Sequence, residues 1–153
     1  MEIRKKQEDL KALSRIVPKV EVDDLYMISC NFNRDIDITH YESVRVNLSS
    51  SGELLSVAED GFRSKVSLCL VANPEREENE ILRIESEYIL SYLIHSKKKL
   101  ETNDLKTFCS INSVYNIWPY WRELVDSIAN RADLPLPKMP LIKVKPSKAK
   151  TKA

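Results

Sequence analysis

The side chains best suited to nucleophilic or metal chemistry are three cysteines and two histidines, at Cys30, Cys69, Cys109, His40 and His95. A cysteine nucleophile needs a nearby base and an acidic group that orients that base. Cys109 could be combined with either histidine, but neither lies at a recognisable spacing in the sequence. The cysteines form no CxxC pair, and the histidines complete no zinc-ligand spacing. We therefore expect reduced thiols, no bound metal and no enzymatic activity.

Nucleotide chemistry is no better supported, because the chain contains only two glycines, Gly52 and Gly61. A loop that cradles phosphates needs several glycines so that its backbone can approach the anion closely. Glu85 and Glu87 are two residues apart and share one face of a strand, as many surface carboxylates do. We expect no cofactor.

Composition is that of a globular domain. The 153 residues fit one domain, and 42% hydrophobic with 31% charged residues allow a core and a solvated surface. The formal net charge of +1 gives no overall basic field that would favour nucleic acid. The N-terminus is too charged for a signal peptide, and the apolar runs are too short to cross a bilayer. A cytoplasmic protein without membrane insertion is expected.

Alternating apolar and polar residues predict four antiparallel strands. The alternations begin near Tyr26, Val44, Phe62 and Leu82. Between them, Ser49–Gly52 is expected to be a turn or loop. The last strand has the longest alternation, and Ile89 and Leu93 make the far half of its polar face apolar.

Helices are predicted on both sides of these strands. Residues 1–16 read as a short amphipathic helix that Pro18 ends. Asn103 is a suitable N-cap for a second helix, and Pro119 suits the first turn of a third helix that runs to about Asn130. Strands followed by helices indicate an α+β fold, in which helices pack on one face of a four-stranded antiparallel sheet.

Three regions are expected along the chain. They are an N-terminal helix and linker (1–22), a main domain (23–144) and a tail (145–153). The tail carries four lysines and no acidic residue, which predicts disorder.

The stretch Val114–Leu141 resembles the corresponding region of the SecB export chaperone. In that family an aromatic-Pro-Tyr step is followed by an Arg-Glu pair, a later arginine and a proline-containing apolar segment. The matching positions here are Trp118-Pro119-Tyr120, Arg122-Glu123, Arg131 and Leu134-Pro135. A weaker similarity extends over about residues 24–144 and includes Tyr26, Asn33–Asp37 and Arg83–Leu90.

The resemblance implies a homotetramer, a dimer of dimers, that binds unfolded polypeptides in apolar grooves without ATP. Its clients would be exported proteins or one dedicated client such as an antitoxin. We expect the groove to be lined by Tyr26, Ile28, Tyr88, Leu90, Tyr92, Trp118, Trp121, Leu134, Leu136 and Met139. The segment Leu134–Leu141 is unusually apolar for a loop, and its prolines keep it extended, which suits a groove wall.

A translocation motor is a further partner that the resemblance allows. It would dock on acidic residues of the sheet, at Asp35, Asp37, Glu85 and Glu87. This chain differs from the export chaperone in its extra N-terminal helix, in stopping soon after Val144 and in its basic tail. Two alternatives stay open at this point. One is a non-catalytic regulatory subunit that binds one folded partner, and the other is weak, salt-dependent nucleic-acid binding through the lysine tail.

Overall fold

The computed structural model describes residues 2–136 and 139–146, with side chains from 6–136 and 139–142. The strands are β1 (Glu2–Lys5), β2 (Val20–Arg34), β3 (Val44–Val57), β4 (Gly61–Pro74), β5 (Leu82–Ile94) and β6 (Lys143–Pro146). The helices are α1 (Gln7–Ile16), α2 (Thr102–Phe108) and α3 (Val114–Arg131). A π-helical turn, Cys109–Ser113, joins α2 to α3, so the two form one continuous rod.

Four of the strands form an antiparallel sheet in the order β2-β5-β4-β3. The alternation read from the sequence explains its two faces, because successive side chains of a strand point to opposite sides. On β4, for example, Val66, Leu68 and Leu70 are buried while Arg63 on the other face is exposed. The helices cover the apolar face. The predicted α+β fold, with helices on one face of a four-stranded antiparallel sheet, is confirmed.

Three aromatic rings join the rod to the sheet. Phe62 of β4 stacks on Tyr92 of β5 with ring centroids 4.8 Å apart. Phe108, at the end of α2, meets both rings edge-on, at 5.7 Å from Phe62 and 5.1 Å from Tyr92. Edge-to-face and offset-stacked pairs add about 0.5–1.5 kcal/mol each beyond the area that they bury. This cluster fixes where the rod crosses the sheet.

The N-terminal region differs from its prediction. Residues Glu2–Lys5 form β1, which pairs in parallel with β6, and only Gln7–Ile16 are helical. The prediction of a helix from residue 1 is therefore wrong over its first turn, because pairing with a segment distant in sequence overrides local helix propensity. The same pairing places Lys145 and Pro146 in a strand, although a disordered tail was expected there. Residues 147–153 of that tail lie outside the described residues.

Pro119 was predicted to begin a helix, but it lies inside α3. Asn103 was predicted to be an N-cap, but the N-cap of α2 is Glu101. A proline inside a helix removes the hydrogen bond to the carbonyl four residues earlier, which here belongs to Tyr115. Tyr115 is half exposed, so water can reach that side of the helix and bond the carbonyl. The helix can therefore continue through Pro119 without leaving a buried carbonyl unpaired.

Ser49–Gly52 is also different from its prediction, because these residues are the middle of β3 and not a loop. They pair with Cys69, Leu68, Ser67 and Val66 of β4 in an unbroken register. Polar composition suggested a turn, but the fully paired neighbour β4 holds the segment extended. Cross-strand partners that are distant in sequence decided this element.

Candidate functional site

The strand β2 carries an exposed apolar surface. Its side chains Val22, Tyr26, Met27 and Ile28, here called the β2 strip, are 43%, 42%, 41% and 49% exposed. For the side chains on the helix-covered face, the cause is the position of the helical rod, whose π turn and α3 pack against β3 and β4. β2 lies at the opposite edge of the sheet, so no helix covers it fully. Several exposed apolar side chains on one strand make β2 a candidate binding surface.

The β2 strip reaches both faces of the sheet. Met27 lies opposite Tyr88 on the helix-covered face, while Tyr26 lies opposite Ile89 on the other face. The register of β2 shifts between Val22 and Asp24 and again between Met27 and Ser29. Such bulges bend a strand and redirect its side chains. Ile28 lies at the second bulge, at the strand's outer edge.

Backbone groups add to this surface. Within the described part of the chain, β2 pairs on one side only, with β5, so its outer edge is free to accept another strand. An edge of unpaired N–H and C=O groups is a template for strand addition. The strand spans 15 residues, Val20–Arg34, which is long for an unprotected edge.

Two buried hydroxyls lie next to the β2 strip. Ser86 and Tyr88 are the residues of β5 opposite Cys30 and Met27, and both side chains are enclosed. The two hydroxyls are close enough to influence each other, but neither makes a hydrogen bond of good geometry within the described residues. Burial raises the pKa of Tyr88. Buried polar groups without partners are rare, and they concentrate where a structure has a special task.

The predicted groove residues separate into two sets. Tyr26 and Ile28 are in the exposed strip, and Leu136 is partly buried. The remaining seven are enclosed in the core of the chain: Tyr88, Leu90, Tyr92, Trp118, Trp121, Leu134 and Met139. An enclosed side chain offers no surface to a client, so we do not retain these seven in the candidate site. The sequence pattern marks which residues are apolar, but a core and a groove attract the same residue types.

The segment after α3 folds back along that helix. Its described residues, 134–136 and 139–142, are here called the C-terminal strap. The Trp118 indole Nε1–H donates to the carbonyl oxygen of Pro140 at 2.7 Å, and Arg122 Nε–H donates to that of Met139 at 3.0 Å. Leu134 and Met139 fill the core beneath. The strap is thus part of the fold, which explains its high apolar content without a client.

The predicted acidic docking residues lie in two places. Asp35 and Asp37 are exposed in the turn after β2, whereas Glu85 and Glu87 lie on the uncovered face of β5. A hydrogen bond from Asn31 and an ion pair with Arg83 (2.9 Å) lower the pKa of Glu85. Lys65, 2.9 Å from Glu87, lowers the pKa of that carboxyl. Both glutamates are therefore paired with cations of the same chain, and this face of the sheet carries both positive and negative charges.

Cys109 and the two histidines lie in different environments, since the cysteine is buried and both histidines are exposed. Cys109 is fully enclosed, and burial raises the pKa of its thiol, which disfavours the reactive thiolate. His95 pairs with Glu21 at 3.0 Å, and His40 lies 3.6 Å from Asp37. Across residues 2–136 and 139–146, no three histidine, cysteine or acidic side chains converge as metal ligands would. None of the helices in that part of the chain combines the length and apolar character needed to span a membrane.

Val22 and Met27 belong to the β2 strip but were not predicted. Strict alternation assigned Met27 to the face opposite Tyr26 and left it out of the groove. The sequence feature that could have identified them is the run Leu25-Tyr26-Met27-Ile28. A strand with one solvent-exposed face alternates apolar and polar residues, so four consecutive apolar residues indicate apolar surface on both faces.

No protein-family model and no curated protein sequence matches this chain. Among solved structures, a SecB-like chaperone of Mycobacterium tuberculosis, in complex with a ChAD peptide from the HigA1 antitoxin, is similar with a TM-score of 0.73. The identity is 13%, over 88% of this chain and 98% of that one. A protein of unknown function from Streptococcus agalactiae is similar with a TM-score of 0.48 and 12% identity, over 80% of this chain and 98% of the other. This chain has the SecB-like fold.

Proposed function

We propose that this protein is an ATP-independent chaperone that holds unfolded polypeptides on the β2 strip and on the free edge of β2. One observation carries the proposal, namely four exposed apolar side chains on a long strand with an unpaired edge. Unfolded chains offer the complement, because they expose apolar side chains and unpaired backbone together. The similar SecB-like chaperone is seen with an antitoxin peptide, which supports the same class of ligand here.

The strip by itself gives modest affinity. Covering a half-exposed apolar side chain contributes about 1 kcal/mol, so four contribute about 4 kcal/mol, which corresponds to a Kd of about 1 mM. Backbone pairing and several linked copies would be needed for tight holding. We therefore propose a homotetramer, a dimer of dimers, acting in the cytoplasm. An exported protein and a dedicated client such as an antitoxin both fit this mechanism.

The test compares two matched substitutions. Ile28 lies at the bulge of β2 and is 49% exposed, and Leu55 lies at the bulge of β3 and is 48% exposed. Aggregation of a guanidinium-unfolded enzyme is followed by light scattering after dilution into the full-length chaperone without nucleotide. The unmodified protein and Leu55→Ser should suppress aggregation at stoichiometric ratio, and Ile28→Ser should need several-fold more protein.

Native mass measured on the same samples separates holding from assembly. If Ile28→Ser keeps the native mass of the unmodified protein and loses suppression, the strip contacts the client. Equal suppression by both variants would remove the β2 strip from the proposal. An unmodified protein that suppresses nothing, yet forms one tight complex with a folded partner, would favour the regulatory-subunit alternative.

A further inference from the structure

A second surface, at the end of the sheet where β2 begins, is a candidate binding site. The turn between β3 and β4 and the loop between β5 and α2 enclose a pocket of about 640 Å³. Its lining, here called the lysine pocket, consists of Val57, Ala58, Glu59, Ile94, Ser96, Lys97, Lys98, Lys99, Leu100, Thr102 and Leu105. The volume is within the range of ordinary ligand pockets.

The lysine pocket combines an apolar floor with a cationic rim. Leu100 and Leu105 are buried and Ile94 is partly buried, while Lys97–Lys99 are exposed. The loop that carries these lysines is held by Ser96, whose Oγ donates to the carbonyl of Lys98 at 3.0 Å and accepts from the N–H of Lys98 at 3.3 Å. The rim is therefore built on a short folded loop.

The rim charge is uncompensated. Within the described residues, no carboxylate lies within 4.0 Å of the ammonium groups of Lys97–Lys99, although Arg45, Lys65 and Arg83 of the sheet do have such partners. Glu59 is the one acidic residue of the lining. Like charges held close together favour an anionic ligand that relieves their repulsion.

The geometry points to the lysine pocket as a binding site for acidic polypeptide segments in which aspartate or glutamate flanks a large aliphatic side chain. The carboxylates would meet the rim, and the aliphatic group would cover Leu100 and Leu105. This inference rests on the proposed polypeptide-binding function and adds a charge preference to it. A segment bound here and on the β2 strip would gain affinity from both contacts.

A nucleic acid is the other polyanion that such a rim could attract, and the floor argues against it. Proteins hold single-stranded bases largely by stacking them on aromatic rings. The apolar side chains among the described residues that line the pocket are all aliphatic, and none is aromatic. The lining thus fits a leucine-sized group better than a base.

The test uses short fluorescent peptides and the full-length protein in low-salt buffer, with anisotropy as the readout. The first peptide places leucine between acidic residues, the second replaces the acids by lysine, and the third replaces the leucine by serine. The first should bind about tenfold more tightly than the lysine peptide, since three exposed ion pairs of ordinary strength produce a factor of that order. It should bind several-fold more tightly than the serine peptide, which has no aliphatic group to cover Leu100 and Leu105. The affinity of the first peptide should fall as salt is raised.

Two triple variants check the position of the site. Lys97→Ser with Lys98→Ser and Lys99→Ser should weaken the acidic leucine peptide by about tenfold. The control, Lys11→Ser with Arg76→Ser and Arg131→Ser, removes the same charge from exposed positions outside the pocket lining and should change affinity less than about twofold. The inference would be overturned if both triple variants lost the same affinity for the acidic leucine peptide. It would also be overturned if the serine peptide bound as tightly as the leucine peptide. Tighter, Lys97–Lys99-dependent binding of an oligonucleotide of equal charge would overturn it as well.

Aggregation suppression measured in parallel keeps the two proposals apart. If holding persists while no peptide preference is found, the pocket inference fails and the chaperone proposal stands. If the lysine-dependent preference is found in a protein that holds no client, the pocket stands and the chaperone proposal fails.

Discussion

A Cβ atom on Gly52 would overlap the carbonyl oxygen of Cys109, because the π-helical turn lies directly on β3 at this point. The same Cβ would lie 3.2 Å from a methyl group of Val114. Gly52 faces the helices beside Val66, whose side chain is fully buried. The absence of a side chain at this position is what allows the rod and the sheet to meet closely.

Gly52→Ala should destabilise the fold. A methyl group here meets backbone, which cannot rotate away, so the rod or β3 must shift, and overpacking of this kind costs about 1–3 kcal/mol. Urea unfolding followed by circular dichroism measures the change. Ser51→Ala, on the exposed opposite face, is the control and should stay within about 0.5 kcal/mol of the unmodified protein. A Gly52→Ala protein as stable as the control would contradict the close contact.

Removing the hydroxyl group should lower the free energy of unfolding at Tyr92 but not at Tyr88, although both tyrosines lie on β5. Tyr92 Oη lies 3.0 Å from Ser113 Oγ and accepts from Asn116 Nδ2 at 3.0 Å, whereas the Tyr88 hydroxyl has no well-formed hydrogen bond in the described structure. Tyr92→Phe should cost about 1–3 kcal/mol, because it leaves buried partners unsatisfied. Tyr88→Phe should be neutral or slightly stabilising. Both are measured by urea unfolding, and equal losses would show that Tyr88 is also paired.

Alkaline pH should unfold the protein partly through Tyr92. Burial raises the pKa of Tyr92 to about 12, from an ordinary value near 10. A group whose pKa is raised on folding contributes stability that is complete below the unfolded pKa and is lost as pH rises through the folded pKa. The unfolding free energy should therefore fall between pH 10 and 12, with up to about 2–3 kcal/mol attributable to this group.

Tyr92→Phe is the control for that pH dependence. Other buried groups, such as Cys109, also titrate at high pH, so the informative quantity is the difference in slope between the two proteins. The variant should lose less stability between pH 10 and 12 than the unmodified protein. Parallel curves would exclude Tyr92 as a source of alkaline sensitivity.

The contact between helix α1 and helix α2 should weaken at acid pH. Arg15 Nε and Nη2 each donate to an oxygen of Asp104 at 2.7 Å, and this pairing lowers the pKa of Asp104. A carboxyl group whose pKa is lowered on folding stabilises the folded state at pH values above its ordinary pKa of 3.8. This contribution is lost as the pH falls through the pKa of the folded state. NMR shifts of the α1 amides should therefore change below about pH 4. Asp104→Asn should show the same shift changes already at pH 7, and unchanged α1 shifts in that variant would contradict the prediction.

Much of the fold followed from local patterns. The four alternating stretches became β2–β5, because an antiparallel sheet with one covered face requires the period of two. The helix predicted to run from Pro119 to about Asn130 lies within α3, although its start was placed too late. Local signals failed where partners distant in sequence decide, as at Glu2–Lys5 and Ser49–Gly52, where strand pairing overrides composition.

The candidate site was predicted less completely than the fold. The sequence singled out Tyr26 and Ile28, which are exposed on β2, together with residues such as Trp121 and Met139, which are enclosed. Apolar residue types look alike in both settings, so only the position of a covering element separates them. Met27 was missed because a β-bulge changes which face a side chain occupies, and alternation does not reveal a bulge.

By itself the sequence determined that this chain forms an antiparallel sheet beside helices and carries more apolar strand surface than one sheet face requires. That information is local, since it resides in the period of the side chains. The tertiary structure decided which part of that surface stays open. The rod crosses β3 and β4, where Gly52 admits the π turn, and it leaves the side of β2 that faces the helices uncovered. The exposure of Met27 on that side is thus a consequence of where a helix about 80 residues later finds room to pack.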